Sequence, residues 1–167
     1  AGTADRNQLI GKRSARQSAE ILLCGYAGLE GTLRILDEAE EELSSRFVSA
    51  FLDQTKELKN ELVTPEQLLS CETERILAAR QIGSGGSLAA LWELAEDVDA
   101  GFEIDMANIA LKQETVEICE FYRLNPYQMT SAGSFLIVTT EAEQVIELLK
   151  GAGARAGRLG VTKAQNA

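Results

Sequence analysis

An α+β fold, a three-layer α/β/α domain with a mixed central sheet, is predicted by three features of this 167-residue sequence. Short runs rich in branched and aromatic residues alternate with longer stretches whose apolar residues recur every three to four positions, and hairpin signals between the short runs are scarce. The 45% hydrophobic content supplies a core without staples. At this length roughly two-thirds of the extended-chain surface can be buried. Residues 1–19, polar and carrying the basic cluster Lys12, Arg13 and Arg16, read as a linker or tail. Residues 20–162 form the domain, and 163–167 are a second tail.

The elements follow in order. The run from Ile21 to Tyr26, closed by Gly25, has the length of a buried strand. A helix begins near Gly28 to Thr32, with Leu29, Leu33 and Leu36 on one stripe before the acidic run from Asp37 to Glu42. Leu43, Phe47 and Phe51 line one face of a second helix. Thr64-Pro65-Glu66-Gln67 joins an N-cap threonine, a first-turn proline and a glutamine three residues on, a capping box expected to open a helix through Leu68, Leu69, Ile76 and Leu77 towards Arg80.

After Gly83-Ser84-Gly85-Gly86-Ser87, the spacing of Leu88, Leu91, Trp92 and Ala95 predicts a packed helix with Trp92 in the core. Gly101 to Asp105 alternates as a strand, and Glu114 to Tyr122 returns to helical spacing until Asn125-Pro126 stops it. Ser134 to Val138 is the clearest strand, Glu141 to Lys150 a helix with Val145, Ile146, Leu148 and Leu149 inward, and Arg158 to Val161 a last strand.

Composition narrows function. The net charge of −10, with basic residues scattered, leaves little attraction for a nucleic-acid backbone. The absence of histidine removes Ser-His-Asp and Cys-His catalysis and imidazole metal ligation. Cys24, Cys71 and Cys119 are far apart, form no CxxC pair and read as reduced, buried packing residues. Neither a membrane-spanning apolar stretch nor a signal-peptide core is present in the sequence, so a cytoplasmic protein is expected.

No catalytic or metal-ligating set emerges. The consecutive acids from Asp37 to Glu42 point around a helix rather than converge, and read as a solvated face. The glycine-rich segment leading into a helix offers the backbone N–H groups of Ser84, Gly85, Gly86 and Ser87, with Arg80 nearby as compensating cation, for a phosphate or other anion. Its structural alternative is a flexible turn whose serines cap the helix. Glu30, between Gly28-Leu29 and Gly31-Thr32, is favoured by the helix start and placed to contact a partner domain, or is a plain first-turn acid.

Taken in order, these segments resemble the C-terminal domain of the aminoimidazole ribonucleotide (AIR) synthetase superfamily, closest to the hydrogenase-maturation carbamoyl dehydratase branch. The resemblance is carried by Gly28-Leu29-Glu30-Gly31-Thr32 and by Gly85-Gly86 followed by Leu88 to Glu93. Glu103-Ile104-Asp105, Glu114-Thr115, Ile118-Cys119-Glu120, Asn125-Pro126 and Ser131 to Ile137 complete the series. It implies a cleft domain whose glycine-rich backbone faces the phosphates of ATP. ATP and magnesium are implied only for a complete two-domain member, in which an N-terminal domain supplies much of the nucleotide and metal apparatus.

The same resemblance shows departures. Aligned on Gly85-Gly86, the branch's His-Asp and Thr-Glu pairs become Arg80-Gln81 and Gly83-Ser84, and the sequence ends at Ala167 without the branch's terminal cysteine. Thiocarbamate dehydration by this polypeptide is therefore not expected. The reading that results is a cleft domain of an ATP-dependent protein, diverged at its phosphate loop, not catalytic alone and carrying no cofactor itself. Its partner would be the missing N-terminal ATP-binding domain or a second copy in a dimer, with neither nucleic acid nor membrane as partner. Two rivals stand beside it: a non-enzymatic small-anion or protein-binding module, and half of a working enzyme completed by a separate N-terminal chain.

Overall fold

The computed structural model describes residues 8–10, 18–71 and 73–163. Six strands form one sheet in the order β1-β3-β5-β2-β6-β4. They span Gln8–Ile10 (β1), Glu20–Cys24 (β2), Ile76–Ile82 (β3), Gly101–Ile104 (β4), Ser131–Thr139 (β5) and Ala156–Lys163 (β6). The helices are Leu29–Leu43 (α1), Ser49–Glu57 (α2), Pro65–Leu69 (α3), Gly86–Val98 (α4), Gln113–Tyr122 (α5) and Ala142–Gly151 (α6). Every strand pairing is antiparallel, so the expected mixed sheet is corrected to an antiparallel one.

Alternation along the two central strands creates the three layers. Ile21 and Leu23 of β2 and Leu136 and Val138 of β5 join Ala90, Leu94 and Val98 of α4 in one core. Leu22, Cys24, Phe135 and Ile137 point to the opposite face, where Leu68 of α3 and Val145 and Leu149 of α6 cover them. A third cluster, Leu36, Leu43, Leu52 and Ile118, locks α1, α2 and α5 together. Burial of these apolar side chains at roughly 25 cal/mol per Å² is what holds the layers on the sheet.

Four local expectations are corrected. The Thr64 capping box forms, with Gln67 N donating to Thr64 Oγ1 at 3.1 Å and Thr64 N to Gln67 Oε1 at 2.8 Å, but its helix ends at Leu69 and Ile76 to Ile82 form a strand. Ala78 and Ala79 carry helical propensity, yet they sit beside β5 with both faces covered, and tertiary pairing overrides propensity. Leu43 closes α1, and the next helix begins only at Ser49, because Leu43 is buried as the final residue of the first stripe. Within the residues expected to be tail, β1 pairs with β3.

Trp92 is the fourth: it is 72% exposed. The inward face of α4 is Ala90, Leu91, Leu94 and Val98, so the stripe of Leu88, Trp92 and Ala95 lies on its flank. The helix is apolar around more than half its circumference, and spacing alone does not select between two overlapping stripes. Leu148 of α6 is likewise half-exposed while Val145 and Leu149 face the core.

Candidate functional site

The turn between β3 and α4 is fixed from outside. Gly86 stands at φ +81, and a Cβ there would meet Tyr127 O at 2.5 Å and Gln128 Cα at 2.6 Å. Only glycine fits a left-handed position against another backbone at that distance. The opposing segment is itself held, with Asn125 Oδ1 accepting from Tyr127 N at 2.9 Å and Asn125 O from Gln128 N at 3.0 Å. Asn125-Pro126 therefore does more than end α5: it builds the wall on which the glycine turn rests.

The same wall reaches the start of α1. A Cβ on Gly28 would lie 3.0 Å from Pro126 O, and Gly31 N donates to Thr130 O at 3.1 Å. Ser131 Oγ accepts from Gly28 N at 3.0 Å and donates to Tyr26 O at 3.1 Å. Glu30, only slightly exposed, pairs with Arg34 and accepts from Thr130 Oγ1 at 3.2 Å. Two helix starts thus abut one segment, 125–131. Sequence reasoning quoted its residues without seeing that they join the two turns; Gly28, Gly31 and Gly86, each facing it, were the available signal.

Between β3 and α4 lies a small cleft of about 80 Å³, lined by Arg80, Gly83, Ser84, Gly85, Gly86 and Glu93 among others. It brings together Ser84, Gly85, Gly86 and Arg80, whereas Ser87, the fourth expected loop residue, does not line it. Arg80 is 4% exposed and forks onto Asp97, Nε to Oδ2 at 3.0 Å and Nη2 to Oδ1 at 3.1 Å, while Nη1 donates to Glu93 Oε2 at 2.8 Å. The expected compensating cation is thus already balanced by two carboxylates. Its role is to tie β3 to α4 beneath the turn.

The expected serine cap is also corrected: Gly85 is the N-cap and no side chain caps α4. Gly86 N donates to Gly83 O at 3.1 Å, which removes one of the four expected anion donors. The first-turn N–H groups that follow are those a helix leaves without intrahelical partners. Ser87 is 2% exposed, and its Oγ has no hydrogen-bond partner among the described residues. Buried hydroxyls are rarely left so.

Cys24, Cys71 and Cys119 are buried, as expected. Burial, more than any neighbouring charge, pushes the Cys24 thiol up to about 12, with Cys71 adding to the rise and Arg155 opposing it. Burial also raises Cys119, against a hydrogen bond from Thr32; the neighbouring glutamates on α5 are not the cause. Among the described residues, no three Cys, Asp or Glu side chains converge as a metal-ligating group, and no helix is long and apolar enough to cross a membrane.

Fold and site together define a three-layer domain of the kind carried at the C-terminus of AIR synthase-related proteins. The profile described as "AIR synthase related protein, C-terminal domain" matches residues 20–167, and the chain belongs to that family. Carbamoyl dehydratase HypE of Rhodobacter capsulatus is 33% identical over 73 residues, 44% of this chain and 22% of that protein. A structure of the hydrogenase maturation protein HypE in complex with ATP aligns with TM-score 0.64 at 20% identity, over 93% of this chain and 44% of that one. Thiamine-monophosphate kinase from Stenotrophomonas maltophilia aligns with TM-score 0.68 at 16% identity, over 94% and 51% respectively. The chain thus spans about half the length of these solved relatives.

Proposed function

We propose that this chain is the C-terminal cleft domain of an ATP-dependent protein of the family, diverged at its phosphate loop, and that it is not catalytic alone. The turn from Gly83 to Ser87 would form the wall facing phosphate. The observation that carries this reading is the glycine turn ahead of α4, which lines the cleft beside Arg80 and is wedged against Tyr127 and Gln128. Backbone N–H groups and the positive end of α4 suit an anion, and the match to a relative solved with ATP agrees with that chemistry.

A phosphate group fits these donors, whereas magnesium finds no converging carboxylates among the described residues. In a complete protein, ATP would supply the phosphoryl group that activates an oxygen of the substrate. Here the first-turn amides would orient its phosphates, and Arg80, bound to Asp97 and Glu93, would position the turn. Glu30, anchored by Thr130, would stand on the face that meets a second domain. The rival reading, a small-anion or protein-binding module without ATP chemistry, is favoured by the balanced charge of Arg80.

Phosphate titration followed by NMR tests the wall. Saturable shifts confined to residues 84–88 are expected; shifts spread over the surface, or none, would overturn it. Calorimetry with Mg-ATP tests the second half of the proposal. Micromolar binding by the chain alone would refute its dependence on another domain, and binding that appears only with an N-terminal domain supplied would count against the module.

A further inference from the structure

The flank of α4 and the edge strand β4 enclose an apolar groove of about 450 Å³, lined by Leu88, Trp92, Ala95 and Phe102 together with the acids Glu96 and Asp99. It runs along the helix from Leu88 to the C-cap Asp99 and on to Phe102 of β4. Trp92 and Leu88 are exposed along it. Tryptophan is among the residues that dominate the energetics of protein interfaces, and its large apolar body is costly to leave in water.

The charge of the groove has one sign. Every ionisable residue of α4 and its C-cap is acidic, and no basic residue stands in the last turn, where backbone carbonyls already concentrate negative charge and a cation would be favourable. Glu93 and Asp97 are held by Arg80. Glu96 and Asp99 have no ion pair among the described residues. Beside them, β4 is the terminal strand of the sheet and pairs only with β6 among the described residues, so its outer edge offers backbone donors and acceptors.

We propose that this groove docks an extended, apolar and basic segment of a partner protein. A branched or aromatic side chain would pack against Trp92 and Leu88, adjacent Lys or Arg would face Glu96 and Asp99, and the segment's backbone would run along β4. Charge complementarity selects this occupant. A second copy would bring the same acidic rim and a net charge of −10 against its like, and an anionic lipid surface would be repelled for the same reason.

Trp92 is the chain's only tryptophan, so its emission reports on the groove directly. The probes are three Trp-free heptapeptides that alternate lysine with leucine, glutamate with leucine, and lysine with serine. The lysine–leucine peptide should shift Trp92 emission to the blue and saturate, and the other two should not. Affinity should fall roughly tenfold in Glu96→Gln/Asp99→Asn and, by calorimetry, in Trp92→Ala, while Asp37→Asn/Glu38→Gln on α1 should change it less than about twofold. No emission change, binding of either control peptide as tight as that of the lysine–leucine peptide, or equal losses in the two charge-neutralised proteins would overturn the proposal. So would an emission shift that depends on protein concentration without peptide, which would assign the groove to a second copy.

Discussion

Arg80 on β3 and Asp97 on α4 form a two-pronged ion pair across a strand–helix contact, with both guanidinium–carboxylate distances near 3 Å and both side chains at least nine-tenths buried. The half-exposed Glu93 adds a third bond. A buried pair of this kind stabilises little relative to apolar replacements, but removing one partner strands the other. Asp97→Ala should cost about 3 kcal/mol, and Arg80→Met/Asp97→Leu should cost less than that single change. Urea denaturation of the single and double variants measures both. A double variant at least as damaged as Asp97→Ala would show that the pair is worth more than its apolar substitute.

The glycine turn yields a sharper contrast. Gly86→Ala would place a Cβ 2.5 Å from a carbonyl oxygen while holding φ at +81, so a loss of at least about 2 kcal/mol is expected. Gly151, at the end of α6, has nothing within 4 Å of its would-be Cβ. There the same substitution should raise stability by about 0.5 to 1 kcal/mol, since alanine is the better helix former. Thermal melts of the two variants decide it, and similar effects in both would contradict the wedged geometry.

What could be read in advance follows from range. The strand from Glu20 to Cys24, the Thr64 capping box, the stop at Asn125-Pro126 and the strand through Phe135 are set by neighbours within a few residues, and each is found where its local signal stands. Ile76 to Ile82 is not, because its strand state comes from β5, about fifty residues or more away in sequence, and a strand buried on both faces shows no alternation. Trp92 failed for a related reason: the sequence contains the stripe but not the direction of the sheet. At the site, the glycine-rich turn from Gly83 leading into a helix was legible, whereas the capture of Arg80 by Asp97, seventeen residues on, needed the register of β3 beneath α4.

Two hydroxyls offer a test in the stabilising direction. Ser87 Oγ and Thr115 Oγ1 are buried without partners among the described residues, and an unsatisfied polar atom in the interior carries a desolvation cost that an apolar replacement avoids. Thr115→Val, nearly isosteric, should leave stability unchanged or raise it by about 1 kcal/mol. Ser87→Ala should behave alike. A loss of more than about 1 kcal/mol in either variant would mean that the hydroxyl has a structural partner.

Cys24 makes stability depend on alkaline pH. Its thiol rises from 9.0 to about 12 because β2 is buried beneath α6 and α3, which disfavours the thiolate. A folded pKa above the unfolded one means that the unfolded chain releases its proton first as pH climbs. The contribution of the neutral thiol is therefore fully present below pH 9 and is lost progressively as pH rises towards 12. Tyr122, raised to about 12 by its hydrogen bond to Glu42, acts in the same direction at the surface, so the thiol is isolated by comparing wild type with Cys24→Ala rather than by the wild-type profile alone. Urea midpoints taken from pH 7 to 10.5 should fall more steeply in wild type than in Cys24→Ala above pH 9. Alkylation should follow the same logic, with iodoacetamide reaching Cys24 only as fast as the protein opens. Parallel pH profiles, or rapid alkylation of Cys24 under native conditions, would place this thiol in contact with water and contradict the closed layer between β2 and α6.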